Sequence, residues 1–506
     1  MSYFIGVDIG TSGTKTVLFS RTGEIVASAT IEYPLYQPQN GWAEQDPHDW
    51  WVATYQSIRQ VVEKSGLHTD DIKGVGLSGQ MHGLVMLDAD GKVLRPSIIW
   101  CDQRTAKECE EITEKVGKDR LIEITANPAL TGFTASKILW VKNNEPEIYE
   151  KCRKILLPKD YIRFMLSGVF ATEVSDASGM QLLDINTRDW SLEVLEKLEI
   201  DKALLSKVYE SIEISATVSA EAAKLCGLEI GTAIAGGAGD QAAGAVGNGI
   251  VKEGLVSSTI GTSGVVFAHT NKPIIDKGGR VHTFCHAVPN SWHVMGVTQG
   301  AGLSLKWFRD NFCGAEMETA NQMGIDPYIL LDKEAKTVPP LSNSLYYLPY
   351  LMGERTPHLD PNARGVFFGL SAMHGKKEML RAVMEGVAFS LKDCMEIIKA
   401  TGIGVDEVRA SGGGGKSELW RQMQADCYDC SVVTVHSKEG PALGAAILAM
   451  VGTKEYGSVG EACEAIIERN TSLSPIAENV EAYKKGYQLY TKLYPSLKDC
   501  FSLLAE

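Results

Sequence analysis

Gly6-Val7-Asp8-Ile9-Gly10-Thr11-Ser12-Gly13-Thr14-Lys15 stands almost at the start of the chain, and its core, Ile9–Gly13, returns as Ile260–Gly264 in STIGTSGVV. Apolar segments flank both copies: Tyr3–Val7 and Thr16–Phe19 around the first, Leu255–Ile260 and Val265–Ala268 around the second. That pattern predicts two strand–turn–strand units. A turn of Gly, Thr and Ser offers backbone N–H groups and hydroxyls with little bulk, as in a nest for phosphate oxygens. A single GTSG is commonly just a hairpin turn. Two copies, one in each half, predict two jaws on one polyphosphate, held by Thr11 and Ser12 on one side and Gly261 and Thr262 on the other. Lys15 adds a cation near the first. The copies differ just ahead of the turn, where the first has Asp8 and the second Thr259. A carboxylate there repels phosphate unless a divalent cation stands between them. Asp8 therefore reads as a water-mediated partner of Mg²⁺, and the second turn as a direct phosphate holder. Neither copy has the Lys-Ser/Thr ending of a P-loop or the GxGxxG of a dinucleotide site.

Outward from the first turn, Ile25–Ile31 predicts a third strand of an antiparallel meander. A helix follows, with Asp46 as N-cap, Pro47 at its first position, Trp51, Tyr55, Ile58 and Val62 on one face, and Gly66 at its end. Ile72–Leu77 is another strand. The second half is expected to reopen in the same way, with Thr232–Ala235 as a strand and then the repeated turn. Val408–Ala410 runs through Ser411–Gly415 into a helix bearing Leu419, Met423 and Cys427, then the strand Val432–Val435. This is a strand–Gly loop–helix–strand unit of an α/β fold. The tail, Thr453–Glu506, reads as helices. A chain of 506 residues is too long for one ordinary core. The restart near Asn248–Glu253 divides it into 1–248 and 249–506.

Hydrophobic content of 44% with 22% charged residues is that of a globular protein. The net charge of −14 argues against nucleic acid as a partner. The longest apolar run, near Leu443–Val451, is far short of the roughly 20 residues of a membrane span. The N-terminal residues have no basic or apolar leader region, so no signal peptide is expected. Eleven cysteines without framework spacing suit reduced thiols in a cytoplasm, and the one CxxC, Cys427–Cys430, reads as packing.

Three further clusters carry polar chemistry. Ala235–Gly244, AGGAGDQAAG, places Asp240 between a small-residue strand end and an Ala-rich helix. An aspartate there either accepts a hydroxyl proton in phosphoryl transfer or caps the helix. In Ser78–Gly83, SGQMHG, His82 lies between strand end and glycine, placed either to donate to a hydroxyl or to serve structure. Trp100–Arg104, WCDQR, is the next polar cluster.

The order of these motifs resembles the FGGY carbohydrate kinases of the actin-like ATPase superfamily. Gly132–Asn144, with Lys137 and Trp140, and Gly365–Glu385 are similar to further family signatures, and the resemblance runs from about Tyr3 to Gly452. It implies two actin-like (ribonuclease H-like) domains, each with a mixed sheet, around an interdomain cleft, with ATP and Mg²⁺ bound. It makes Asp240 the general base and, with Asp8, a metal-side carboxylate, and gives Gln241 a contact to sugar hydroxyls. Gly413 and Ser417 fall on the family's adenosine motif; Gly302 and Lys306 match a segment that contacts nucleotide phosphate. QMHG and WCDQR resemble the xylulokinase subgroup, which places Met81, His82, Trp100 and Asp102 at the sugar, with Asp176 at the rim. D-Xylulose is thus the expected acceptor, with gluconate, ribulose or glycerol as alternatives. The oligomeric state stays open, a homodimer being the candidate.

Overall fold

The computed structural model describes residues 2–436 and 439–504. The opening meander forms as its pattern predicts. β1 (Tyr3–Ile9), β2 (Gly13–Ser20) and β3 (Ile25–Glu32) pair antiparallel in sequence order. β1 and most of β2 are buried on both faces, because both sides of the sheet are covered. One cover is α1 (Pro47–Ser65), where the Asp46 carboxylate accepts from His48 N at 2.9 Å and Gly66 ends the helix at φ 63°. β4 (Ile72–Gly79) lies parallel to β1 on the side away from β2. β5 (Ile214–Thr217) and β6 (Ala233–Ala235) extend the sheet, and β7 (Ala238–Gly239) pairs with the end of β4. The strand read at Thr232–Ala235 therefore completes the first sheet rather than opening the second. Behind β7 comes α2 (Asp240–Gly247).

The second sheet repeats the plan. β8 (Gly254–Ile260) runs into the second turn, and β9 (Gly264–Thr270) pairs with it antiparallel. β10 (His282–Cys285) and β11 (Trp292–Thr298) continue on that side. On the other side β12 (Val405–Ser411) lies parallel to β8, β13 (Val432–Val435) parallel to β12, and β14 (Arg469–Leu473) antiparallel to β13. In each sheet the strand before the GTSG turn is central, its hairpin partner on one flank and a parallel crossover strand on the other. The tail is therefore not all helical: β14 supplies the edge strand. α3 (Ala301–Phe312) follows β11 directly, α4 (Lys376–Ala400) is buried along most of its length, and α5 (Glu418–Tyr428) joins β12 to β13. Cys427 is buried on α5, and none of the eleven cysteines is in a disulfide.

The apolar run at Leu443–Val451 lies in α6 (Gly440–Gly452), which packs on α2 and crosses β1 and β4. A helix apolar all round is a core helix when it is covered on every side. Contact with β4 is backbone to backbone: a Cβ on Gly76 would stand 1.8 Å from the Ala445 carbonyl oxygen. No helix among the described residues is long and apolar enough to cross a membrane.

Candidate active site

At the first turn, Gly10 N donates to Gly13 O at 3.1 Å. The remaining oxygens are occupied from outside. Gly10 O accepts from Tyr33 Oη (2.5 Å) and Gln80 Nε2 (3.3 Å), Thr11 O from Gln45 Nε2 (2.7 Å), and Thr11 Oγ1 from Trp100 Nε1 (2.9 Å). Among the described residues none accepts from the N–H of Thr11 or Ser12. With its carbonyls saturated, the turn presents N–H groups to an anion. The second turn is arranged alike. Gly261 N donates to Ser263 O (2.9 Å), while Gly302 N and Leu303 N at the start of α3 donate to Gly261 O (2.9 Å) and Thr262 O (3.0 Å). A Cβ on Gly302 would lie 2.2 Å from Gly261 O, so this approach requires glycine. Gly302 thus buttresses the turn with its N–H rather than offering that group to phosphate.

Gly261, Thr262, Gly302, Lys306, Gly413 and Ser417 line one mainly apolar cavity of about 460 Å³, walled also by Tyr328, Ile329 and Trp420. All six residues read from sequence as nucleotide contacts in the second half therefore meet. Ser417 caps α5, accepting from Trp420 N at 3.0 Å. Lys306 is exposed and pairs loosely with Asp310 at 3.4 Å. A larger cleft of about 800 Å³ lies between the halves and is lined by Lys15, Asp240, Gln241, Thr259 and Ser411. Lys15 pairs across it with Glu439.

The register brings the acids together. Asp8 on β1 is opposite Ser78 on β4, and Ser78 is opposite Ala238 on β7, two residues before Asp240. Ser78 Oγ donates to Asp8 Oδ1 at 2.9 Å. Burial raises the Asp8 carboxyl, offset by the Ser78 bond and the Lys15 charge. Asp240 is pushed up to about 7, first by burial and next by the charge of Asp8. Asp240 is not the helix cap: Gly239 holds that position and Asp240 is the first helical residue.

On the other side of β4, Met81 packs against Gly239, where a Cβ would meet Met81 Cγ at 2.8 Å. His82 has φ 69°, and its Nδ1 lies 2.7 Å from the Gly179 carbonyl oxygen. That nitrogen must carry the proton. Burial, followed by the Lys137 charge, pushes the imidazole down to about 3, so the ring is neutral. Nε2 is consequently an acceptor, and His82 is built to accept a hydrogen bond from a hydroxyl rather than to donate one. Lys137 Nζ donates to the carbonyls of His82 (2.8 Å) and Gly132 (2.7 Å), latching the Thr134–Asn144 helix to the QMHG turn.

A model of the N-terminal domain of the FGGY family of carbohydrate kinases matches residues 3–247, and one of the C-terminal domain matches residues 256–453. The chain belongs to the FGGY family of carbohydrate kinases. Relatives of this FGGY kinase include the xylulose kinase of Bacillus subtilis (strain 168), 40% identical over 499 residues, covering 99% of this chain and 98% of that one. The gluconokinase of the same organism is 34% identical over 508 residues, covering 100% and 98%. The crystal structure of ligand-bound xylulose kinase from Lactobacillus acidophilus superimposes with a TM-score of 0.92 at 29% identity, covering 100% of both chains. The fold is the two-domain actin-like fold of these kinases.

In this FGGY kinase one residue assigned to the sugar is buried among protein partners. Asp102 has no exposed surface, and Ala43 N (2.6 Å) and the Arg104 guanidinium (2.7–3.0 Å) engage its carboxylate. Its charge is matched by Arg104, and its carboxylate braces the strand end at Ala43. Trp100 is 42% exposed, and its ring N–H ties it to Thr11 of the first turn. Asp176, expected at the rim, is wholly buried 3.1 Å from Lys159 Nζ. Gln45, which braces Thr11, carries no sequence signal, because its partner is 34 residues away. Arg355 was also missed. It comes from the second half, and its charge depresses both His82 and His282.

Proposed function

We propose that this FGGY kinase transfers the γ-phosphoryl group of ATP to the 5-hydroxyl of D-xylulose, with Asp240 as proton acceptor. The observation that carries this reading is the position of Asp240. It begins α2 directly after Gly239, against which Met81 packs, and it lines a cleft with Lys15 from the first half and Thr259 and Ser411 from the second. The two stretches, 1–248 and 249–506, act as jaws whose closure excludes water. Sugar hydroxyls meet the His82 Nε2 acceptor and Gln241, and the nucleotide lies against Gly413 and Ser417. Overall similarity to xylulose kinases favours the ketopentose. The gluconokinase relative and the Arg355 guanidinium favour a second reading, an aldonate acceptor. A coupled ADP-release assay across D-xylulose, D-ribulose, L-ribulose, gluconate and glycerol tests both. D-Xylulose should have the highest kcat/KM; gluconate in first place would replace the substrate assignment and leave the kinase assignment standing.

Mg²⁺ fits the residues present. Asp8 and Asp240 are both raised by burial, and Asp8's charge raises Asp240 further, a strain that a divalent cation between them relieves. Hard oxygen donors suit Mg²⁺. Among the described residues no three His, Cys, Asp or Glu side chains converge into a full metal cage. When bound, it would neutralise phosphate charge. Asp240 must be ionised to accept a proton. Burial and the Asp8 charge hold that carboxyl near 7 without the cation, so at low Mg²⁺ kcat/KM should rise as pH increases through about 7 and fall below it, and saturating Mg²⁺ should move that midpoint down. A rate profile flat from about pH 5 to about pH 8 would contradict this role.

A further inference from the structure

We propose that Glu173 is a positioning residue that locks the proton acceptor and the sugar-side histidine into one frame. The inference rests on the reading of Asp240 as the base. Glu173 is wholly buried, and its two oxygens gather five donors. Oε2 accepts from Ser175 N (2.8 Å) and Ser211 Oγ (2.7 Å). Oε1 accepts from Ser175 Oγ (2.9 Å) and Asp176 N (2.8 Å), and Lys159 Nζ lies 3.3 Å from it.

Each serine leads on to the stretch before Asp240. Ser175 Oγ accepts from Gly239 N at 3.1 Å, and the Ser211 carbonyl accepts from Gly237 N at 3.0 Å. Arg163, itself held by Asp160 at 2.6 Å, donates to Gly236 O. A run of glycines has no side chains to hold it, and Gly237 sits at φ 72°. These bonds provide the missing restraint. In the other direction Glu173 caps the turn Val174–Ala177, which continues into Ser178–Met180, where Gly179 O accepts the hydrogen bond from His82 Nδ1–H. One carboxylate thus fixes the strand end bearing Asp240 and the tautomer of His82.

The surrounding charges agree with a role beyond packing. Lys159 and Arg163 face three buried acids, Asp160, Glu173 and Asp176, and burial pushes the Asp176 carboxyl up to about 8. Such a cluster gains little stability over apolar residues of similar volume. Its worth lies in the bonds it directs.

The test compares Ser175→Ala, which removes only the hydroxyl between Glu173 and Gly239, with Glu173→Gln, which turns one acceptor into a donor. In each, kcat should fall about 10-fold, part of the roughly 100-fold that a 1 Å misplacement costs. The KM for ATP should not change, and amide exchange at Gly239 should accelerate. Only Glu173→Gln should raise the sugar KM, because only it loosens His82. Ser175→Ala keeps the test decisive if Glu173→Gln fails to fold. Unchanged kcat in Ser175→Ala, with only a lower melting temperature, overturns the inference. Asp240→Asn, assayed beside them, separates the two readings. If that variant keeps full turnover, the base assignment falls whatever Gly239 does. If it is inactive while Ser175→Ala is normal, only the positioning role falls.

Discussion

Asp240→Asn is expected to lower sugar-dependent turnover by a factor of about 10²–10⁴, the usual worth of a positioned general base. The amide keeps the shape at the start of α2 but cannot take the hydroxyl proton. ATP binding should persist, because the 460 Å³ cavity lies against the second turn and the Gly413–Ser417 loop. Loss of activity should not come from unfolding. The folded-state carboxyl is raised from an unfolded value near 3.8 to about 7, so ionised Asp240 works against folding above about pH 4, and fully so above about pH 7. Removing that charge removes the penalty, and the variant should melt no lower than the parent at neutral to mildly alkaline pH. Turnover within twofold of the parent would eliminate Asp240 as the base. A collapse in melting temperature would show that its main work is structural.

Asp8→Asn should lower Mg²⁺-dependent turnover by about 10²–10³, the range seen when one group stabilising transition-state charge is removed. The side chain sits on β1 beneath the first turn and is bound by Ser78 Oγ at 2.9 Å, a bond the amide oxygen can keep. Sugar affinity, measured by calorimetry without nucleotide, should be unaltered, because the Met81–His82 side is reached through β4 and β7. The Mg²⁺ concentration for half-maximal rate should rise. Loss of sugar binding with an unchanged Mg²⁺ requirement would give Asp8 a different role. The Asp240 carboxyl should also titrate lower in the metal-free variant, since the Asp8 charge is one of the two causes that raise it.

Much of this site could be read from local residues. The turns at Gly10–Gly13 and Gly261–Gly264 are legible because each is made by consecutive residues between two strands, and both form as read. α1 was equally legible, since Asp46, Pro47 and Gly66 cap it through neighbours in sequence. Asp102 shows where that reasoning stops. A polar cluster at a strand end looks like a lining, yet Arg104 and Ala43 engage its carboxylate. His82 stands out in the sequence, but whether its free nitrogen donates or accepts a hydrogen bond depends on the carbonyl of Gly179, 97 positions away. β14 escaped notice because Arg469–Leu473 is largely exposed and polar, and only pairing with β13 makes it a strand.

By itself the sequence determined the α/β character, the paired turns, the strand-to-helix step at Asp240 and the glycine loop ahead of α5. Each depends on periodicity, caps and turn chemistry within a few residues. Only the tertiary structure decided the protonation of His82, the burial of Asp102, the cavity that gathers Gly261, Thr262, Gly302, Lys306, Gly413 and Ser417, and the Glu173 network behind Gly239. Burial, charge and hydrogen-bond direction arise from groups that folding brings together from distant positions, and no local pattern carries them.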